Sequence, residues 1–502
     1  MMGDETIEEK VLAEYALDVH GMKVQIKITQ TEDFVPFYSV TFPGIGMATK
    51  LLLSSLRSEL TSMVPLEAGL IGRQDYVEKV NERYKEASML LIDKYLPGTN
   101  PQTKETLTAY ITNMMLLLGD IEAPLADDNL EEIAINGSRS PAWVFHKQFG
   151  WCKTNVKAEN DETIYEQSAF IGRRVGRQIS NLTPLMDAEL PDGSRVNATL
   201  FPISQVGNTI TIRKFSKNPW TMPMMIANGT INAELGGLIW LCIQSEISLL
   251  MAGGTASGKT SFLNAAGIFF QANRRIITVE ETKELALPGF LQWIPMITRQ
   301  PNPEGKGGVS LYDLMINALR QRPDIMLIGE VRTGKDAETL FEAIHTGHAV
   351  YGTIHADNAQ DTIIRMTNPP ISVPKIMMNG IGGIIVNFRH RLRSIRRVLE
   401  VAEVVRTGDA NVLYKWNSRD DTFSKISELT NLVDTISLYT GMTRKEIDGD
   451  ITEKARVLNW MANNKVFDVD DAGLTVANYY RNKGRIVKLV DDNVEFTKDL
   501  LK

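Results

Sequence analysis

The sequence predicts an α/β protein whose main domain is a mostly parallel sheet with helices on both faces. Buried-looking strands, namely SLLMA, IITV, IMLI, VYGTI and VLEVAEVV, alternate with helical patterns from about Ala233 to Val405. A glycine-rich turn follows the first of these strands, and acidic residues follow the second and the third. Because ligands of an open parallel sheet bind at the carboxyl ends of its strands, we expect a functional site at these turns.

The length of the chain and its changes in texture divide it into segments. With 502 residues it is too long for one core of ordinary size, and we expect about three domains with connecting parts. Helical patterns dominate after the strand-like VQIKITQ, short strands and turns follow, and SKNPWTMPM has the prolines of a linker. We predict a mostly helical, partner-binding N-terminal domain at residues 1–125, a small α/β domain at 126–218, a linker at 219–232, the main α/β domain at 233–405 and a mostly helical C-terminal part at 406–502.

Composition argues against several classes of protein. Cys152 and Cys242 stand far apart without a cysteine or histidine cluster, so we expect neither a disulfide framework nor structural zinc, and a reducing compartment fits. The start MMGDETIEEK is acidic, and polar residues interrupt the most apolar stretch, LIWLCIQSEISLLM, so we expect neither a signal peptide nor a spanning helix. The formal net charge of -7 provides no overall field that attracts nucleic acid, and we expect no nucleic-acid partner.

The glycine-rich turn GGTASGKT matches the phosphate-binding pattern G-x-x-x-x-G-K-[ST] between a strand and a helix. Its glycines allow backbone amides to face phosphate oxygens at the positive end of the following helix. We expect Lys259 to reach the β- and γ-phosphates and the Thr260 hydroxyl to ligate Mg²⁺. The pattern therefore predicts that ATP and Mg²⁺ bind at Gly253, Gly254, Thr255, Ala256, Ser257, Gly258, Lys259, Thr260 and Ser261.

Acidic residues and a histidine stand at the ends of neighbouring strands. IITV runs into Glu280 and Glu281, IMLI is followed by Glu330, and VYGTI is followed by His355. Hydrolysis requires one acid near Mg²⁺ and its waters and another that orients or deprotonates the attacking water. The imidazole is expected to donate to the γ-phosphate and to report its presence. The alternatives are that each acid caps the next helix or faces solvent, and that the histidine bonds only to backbone in a turn.

Four motifs stand in one order along the chain, namely GGTASGKT, ITVEETKEL, LRQRPDIMLIGEVR and TGHAVYGTIHADN. Together they resemble the Walker A motif, Asp box, Walker B motif and His box of the type II/type IV secretion ATPase superfamily. The second motif carries Glu280 and Glu281 instead of the usual Glu-Asp pair, which is closer to the archaeal branch that includes archaellum and archaeal pilus motors. EEIAINGSRSPAWVFHKQFGWCKTN and PDGSRVNATLFPIS resemble the N-terminal α/β domain of that branch, so the likeness covers about residues 125 to 405.

The resemblance implies a RecA-like P-loop NTPase core, preceded by a small α/β domain that closes on nucleotide. The helical N-terminal domain is predicted from the sequence patterns, because about the first 120 residues and the tail are only loosely similar to the family. The resemblance also implies a homo-hexameric, cytoplasmic ATPase that acts on a polytopic membrane platform and meets the inner face of the cell membrane peripherally, through that partner. By matching positions, Arg195 and Arg213 would reach the phosphates. Glu280 would be the water-activating base and Glu330 the Mg²⁺-side or water-positioning acid, with these two roles interchangeable, and His355 would be the His-box histidine.

Two other functional classes stay open. A nucleic-acid-translocating motor with the same core is supported by the basic run RHRLRSIRRV at residues 389–398, although such a run is more often a solvated face or a subunit contact. The second class is a nucleotide-gated scaffold that does not hydrolyse ATP, because a P-loop indicates nucleotide binding and not hydrolysis. The acids and the histidine at the strand ends favour hydrolysis over this second class.

Overall fold

The computed structural model describes residues 10–30, 33–64, 74–190, 192–215, 218–301, 305–390, 393 and 395–501. The chain forms two compact units, unit 1 at Met1–Lys217 and unit 2 at Asn218–Lys502. The predicted divisions at residues 125 and 405 each lie inside a unit, because the sheet of each unit takes strands from both sides of the division. The predicted linker at 219–232 belongs to unit 2.

A mixed sheet forms the framework of unit 1. Its described strands are β1 Lys10–Val19, β2 Met22–Gln30, β3 Phe37–Thr41, β4 Leu130–Asn136, β5 Trp143–His146, β6 Gly150–Thr154, β7 Leu185–Glu189, β8 Arg195–Thr199 and β9 Thr209–Arg213. They pair in the order β1-β2-β3-β6-β5-β4-β9-β8-β7, and β3 and β6 are parallel while the other neighbours are antiparallel. The strand-like VQIKITQ lies in β2, where buried Val24, Ile26 and Ile28 alternate with exposed polar residues, so one face of the sheet is covered.

Helices share one hydrophobic core with this sheet. They are α1 Met47–Ser55, α2 Arg57–Met63, α3 Gln74–Tyr95, α4 Pro101–Leu116, α5 Glu122–Ala126 and α6 Asp161–Arg174. Helix α4 begins at a proline, where the Asn100 side chain accepts a hydrogen bond from the N–H of Thr103. The buried Asp127 carboxylate accepts hydrogen bonds from the Tyr15 hydroxyl at 2.6 Å and the Tyr38 hydroxyl at 2.8 Å, and so ties β1 and β3 to the end of α5.

Unit 2 contains the predicted parallel sheet. Its described strands are β10 Leu249–Gly253, β11 Arg275–Glu280, β12 Gln292–Ile297, β13 Ile325–Ile328, β14 Ala349–Ile354, β15 Gly383–His390, β16 Ile395–Val404, β17 Ala410–Asn417 and β18 Thr422–Lys425. They pair in the order β12-β11-β13-β14-β10-β15-β16-β17-β18. The strands from β12 to β15 in this order are parallel, and the pairs from β15 to β18 are antiparallel.

One predicted strand has the wrong direction. VLEVAEVV lies in β16, which is antiparallel to β15, and not in the parallel set. The connection between the two strands is only residues 391–394, and so short a connection permits an antiparallel pair alone. Strands β12 and β15 were absent from the sequence prediction, and β17 and β18 precede the helices of the predicted C-terminal helical part.

Helices pack on both faces of the unit 2 sheet. They are α7 Met222–Ala227, α8 Ala233–Gln244, α9 Lys259–Ala266, α10 Leu311–Leu319, α11 Gly334–His345, α12 Ala359–Thr367, α13 Asn431–Thr440, α14 Arg444–Asn463, α15 Val469–Arg481 and α16 Lys483–Asp491. Alternate residues of β10 enter two hydrophobic cores, since Leu249 and Met251 join one core while Leu250 and Ala252 join the other. The predicted α/β core with helices on both faces is therefore confirmed.

The most apolar stretch of the sequence lies in the interior of unit 2. It covers the end of α8 and the start of β10, and Trp240 of α8 is fully buried and stacks on Phe269 with ring centroids 5.2 Å apart. Across the ranges that the structure describes, no helix combines the length and the apolarity that crossing a bilayer requires.

Helix α8 crosses α14 at very short range. A Cβ atom added at Gly237 would lie 2.6 Å from the carbonyl oxygen of Ile451 and 3.1 Å from the backbone nitrogen of Ala455. Both of these are backbone atoms, which cannot move aside as a flexible side chain does. The glycine is therefore required by the packing of the two helices.

We expect Gly237→Ala to destabilise unit 2 by about 1–3 kcal/mol, because the added methyl group forces α8 and α14 apart. Gly449→Ala is the matched control, since Gly449 is an exposed α14 residue with no atom within 4 Å of an added Cβ. Its effect is expected to be neutral or stabilising, by up to about 1 kcal/mol. Denaturant unfolding measures both, and equal stabilities of the two variants would contradict the close crossing.

Candidate active site

The P-loop, Gly253–Thr260, joins the end of β10 to the start of α9. Its backbone has positive φ at Gly253 (150°), at Ala256 (59°) and at Gly258 (96°). A Cβ atom on Gly253 would lie 2.3 Å from the carbonyl oxygen of Asn387 and 2.4 Å from Ser257 Oγ. The loop thus requires glycine at this position because β15 lies directly beside it, in register with Gly253 opposite Asn387.

The P-loop has the features of a phosphate site. Helix α9 begins at Lys259 without a side-chain cap, so its first amides are directed at the loop. Ser257 Oγ is buried and has no hydrogen-bond partner within the described part of the chain. Thr260 lies half-buried in the first turn of α9, and its hydroxyl is a hard oxygen ligand of the kind that Mg²⁺ prefers. These features fit a bound triphosphate with its metal ion.

Lys259 is the buried cation of the P-loop, with 8% of its surface exposed. Its ammonium group donates to the carbonyl oxygen of Gly254 at 3.1 Å and lies 3.3 Å from Nδ1 of His355. Burial lowers the pKa of Lys259, and the negative charge of Glu330 opposes this shift. The ammonium group of Lys259 is therefore held between the Gly254 carbonyl oxygen and the His355 imidazole.

His355 connects Lys259 to Glu330. Its Nε2 atom lies 3.2 Å from Oε1 of Glu330, on the opposite side of the ring from Lys259. Since an ammonium group only donates, the partners assign Nδ1 as the acceptor and Nε2–H as the donor. Burial and the nearby charge of Lys259 lower the pKa of His355, which favours this neutral imidazole. Three of the predicted site residues thus form one chain of contacts.

Arg332 extends this chain of contacts toward solvent. It donates from one guanidinium nitrogen to Glu330 at 2.8 Å and from the other to both carboxylate oxygens of Glu281, at 2.8 and 2.6 Å. Partial burial alone would raise the pKa of Glu330, but the hydrogen bond and charge of Arg332 hold it below its usual value. Arg332 was not predicted, although its place two residues after Glu330 in GEVR was the available signal.

Glu280 ends β11 and is 1% exposed. Its Oε1 atom accepts hydrogen bonds from the backbone N–H groups of Glu284 at 2.9 Å and Leu285 at 3.0 Å. Gly329 packs against it, so the end of β11 lies beside the end of β13. These amides belong to the loop between β11 and β12, so Glu280 does not cap a helix, which was the alternative for it. Its role as the base stays a prediction.

The loop that follows Glu280 is bound to the P-loop helix. The Asn264 side chain, on α9, accepts from the N–H of Ala286 at 2.7 Å and donates to the carbonyl oxygen of Trp220 at 3.3 Å. At its far end, the N–H of Gly289 donates to Asp470 at 2.6 Å. The loop that follows Glu280 is therefore fixed at Ala286 and at Gly289.

Arg195 and Arg213 lie in unit 1 and are neighbours there. They stand directly opposite each other on β8 and β9, so their side chains share one face of the sheet. Glu189 on β7 and Glu132 on β4 flank them in the same row, and Arg195 also pairs with Asp187 at 3.3 Å. The structure therefore brings the two predicted arginines together within unit 1.

The basic run at residues 389–398 is partly structural. Arg397 is 8% exposed and pairs through two nitrogens with Asp421, at 2.7 and 2.8 Å. The hydrogen bond from Arg397 lowers the pKa of Asp421 to about 2. Arg393 donates to the carbonyl oxygen of Ser418 at 2.9 Å, while residues 391, 392 and 394 lie outside the described residues.

The lowered pKa of His355 predicts a pH dependence of stability. Below its ordinary value of 6.5, the unfolded chain takes up a proton at this residue more readily than the folded chain, so the folded state loses stability as pH falls. We expect Tm to fall more in the wild type than in His355→Gln between about pH 7.5 and about pH 5.5. Thermal unfolding at each pH measures this, and parallel curves would contradict a neutral, partly buried His355.

The matches to known proteins agree with this fold and these motifs. The family described as Type II/IV secretion system protein matches residues 155–386. An uncharacterized protein of Methanocaldococcus jannaschii is 31% identical over 380 residues, which cover 73% of this chain and 68% of that protein. A second one from the same organism is 35% identical over 353 residues, or 68% of this chain, and the match spans only 46% of that protein's length.

Among solved structures, the ATPase DotB of Legionella pneumophila aligns with 73% of this chain and 93% of its own, at 16% identity and a TM-score of 0.42. The parallel sheet of unit 2, with the P-loop after its β10 strand and acids after β11 and β13, is a RecA-like P-loop core. With this core and the matches of its sequence, the chain belongs to the type II/type IV secretion ATPase superfamily.

Proposed function

We propose that this protein hydrolyses MgATP and uses the energy to drive a secretion, type IV pilus or archaellum machine. The observation that carries the proposal is the chain of contacts from Lys259 through His355 to Glu330 beside the P-loop. A cation, a neutral imidazole and an ionised acid beside a phosphate-binding loop are groups that phosphoryl transfer uses, and this supports the proposal. Membership in a family of secretion and pilus ATPases supports the same activity.

Each residue of the P-loop site has a separate task in this proposal. Lys259 exchanges the Gly254 carbonyl oxygen for phosphate oxygens, while the first amides of α9 bind others. Mg²⁺, when bound, neutralises charge on the phosphates, and Thr260 and Glu330 would hold it directly or through water. Once Lys259 binds phosphate, Nδ1 of His355 loses its partner and the Nε2–H turns from Glu330 to the γ-phosphate, so occupancy of the site changes the contact with Glu330.

The two acids receive different tasks. Glu330 is held ionised by Arg332, which suits an acid that positions water or the metal ion. Glu280 remains our proposal for the base, and its support is that two backbone amides fix its carboxylate at the end of β11. The adjacent strand ends would let both acids act on one water molecule.

The arginines of unit 1 would couple motion to chemistry. We propose that Arg195 and Arg213 bring positive charge to the phosphates, either of their own chain or of a neighbouring copy, when the protein closes on nucleotide. Their direct opposition on one sheet face supports a shared anionic ligand. In this proposal the working form is a homo-hexamer in the cytoplasm, attached to the inner face of the membrane through a polytopic platform protein.

Lys259→Ala and Glu330→Gln are expected to lower phosphate release at saturating MgATP by at least about 100-fold, since each removes a charge that acts on the transferring group. Lys335→Ala is the control, because Lys335 is an exposed lysine of α11 outside the contact chain. Its rate should equal that of the wild type. Unchanged phosphate release in either site variant, with the fold intact by circular dichroism, would refute the site.

Arg195→Ala is expected to lower kcat by about 10³-fold while ATP binding is largely retained, because an arginine of this kind acts in the transition state. Arg173→Ala, which removes an exposed arginine of α6, should leave kcat unchanged. Steady-state hydrolysis and equilibrium binding of a fluorescent ATP analogue separate the two effects. Full activity of Arg195→Ala would refute the proposed role of Arg195.

A further inference from the structure

Arg396 lies on β16, in the part of the basic run that follows the connection to β15, and it contacts the P-loop. Its Nε atom donates to the carbonyl oxygen of Ala256 at 3.2 Å. Its Cδ atom lies 3.6 Å from the position that a Cβ atom would take on Gly258. Arg396 therefore bonds to Ala256 and lies beside Gly258, two P-loop residues with positive φ.

This contact fixes the orientation of one peptide group. The C=O of Ala256 and the N–H of Ser257 belong to the same trans peptide and point in opposite directions. Arg396 holds the C=O on one side, and the N–H donates on the other side to the carbonyl oxygen of Gly254, at 3.3 Å. That same Gly254 oxygen accepts from Lys259. A rotation of this peptide would therefore disturb both the turn and the lysine.

Ala256 adopts a strained backbone conformation that an outside contact can stabilise. Its φ of 59° is a conformation that a residue with a Cβ atom adopts at a cost in free energy, which glycine would avoid. Its methyl side chain has no polar atom that could form a stabilising hydrogen bond within the loop. The hydrogen bond from Arg396 compensates for this cost from outside the P-loop.

The backbone of Arg396 is itself fixed. Its carbonyl oxygen accepts a hydrogen bond from the side chain of the next residue, Arg397, at 2.9 Å. The buried Arg397 is in turn bound to Asp421 through two nitrogens. The guanidinium group of Arg396 thus projects to the P-loop from a rigid strand and not from a loose surface run.

We infer that Arg396 is a positioning residue for nucleotide binding, which holds the Ala256 peptide so that the P-loop receives the triphosphate. The inference rests on the proposed function, since it deepens the account of how the same site binds MgATP. It also explains part of the basic run without nucleic-acid binding or membrane binding. The effect is on affinity, because the contact orders the loop in the ground state and does not touch the reacting atoms.

The test compares Arg396→Gln, Arg396→Lys and Arg393→Gln with the wild type, using a fluorescent ATP analogue with Mg²⁺. Arg396→Gln should raise Kd about tenfold, since a hydrogen bond from a charged group is lost, while kcat at saturating ATP stays within about twofold. Arg396→Lys keeps the charge and should raise Kd by about threefold, as a partial rescue. Arg393→Gln changes an arginine of the same basic run that is bound to the carbonyl oxygen of Ser418, and it should bind nucleotide like the wild type.

The outcomes separate the inference from the proposed function. Equal Kd values for Arg396→Gln and the wild type, or a loss of kcat without a change in Kd, would overturn the positioning role alone. An equal loss of affinity in Arg393→Gln would also overturn it, because the effect would then belong to the general charge of the run. A wild-type protein that binds no nucleotide would overturn both.

Discussion

The buried ammonium group of Lys259 needs hydrogen-bond acceptors and a compensating negative charge, and the surrounding residues supply both. A charge removed from water is costly unless acceptors replace the lost hydration. The Gly254 carbonyl group and the His355 imidazole are those acceptors, and Glu330 supplies the compensating charge behind the imidazole. From there Arg332 and Glu281 continue the alternation of charges toward solvent. The site is thus ordered by its own electrostatics.

The outer part of this chain of contacts, Arg332 and Glu281, orients Glu330 more than it stabilises the fold. The Arg332 and Glu281 side chains are about half exposed, at 51% and 43%, and exposed ion pairs stabilise a fold only weakly. Their paired geometry nevertheless holds Arg332 beside Glu330, which is 18% exposed. Glu330 is thereby held ionised at the end of β13, and it meets Lys259 through the imidazole of His355.

The sequence predicted this arrangement as far as local patterns reach. The P-loop and the ends of β11, β13 and β14 were identified because each joins an apolar run to polar residues within a few positions. The direction of β16 was not predictable from its burial, since parallel and antiparallel buried strands show the same apolar run. The pairing of Arg332 with Glu281 and the amide contacts of Glu280 were missed because they depend on loop paths between distant residues. The neighbourhood of Arg195 and Arg213 likewise follows from strand register.

The close crossing of α8 and α14 bears on how this architecture is inherited. Trp240 of α8 donates to the Tyr480 hydroxyl at 2.8 Å, and that hydroxyl donates to the carbonyl oxygen of Phe269, just after the P-loop helix. Lys454 of α14 lies over the same indole ring, 5.6 Å from its centroid. The carboxyl-terminal helices are therefore built into the nucleotide core. Loss of these helices would expose the indole ring of Trp240 and remove the Tyr480 hydroxyl from its N–H and from the carbonyl oxygen of Phe269. Such a change would therefore require compensating substitutions in the core.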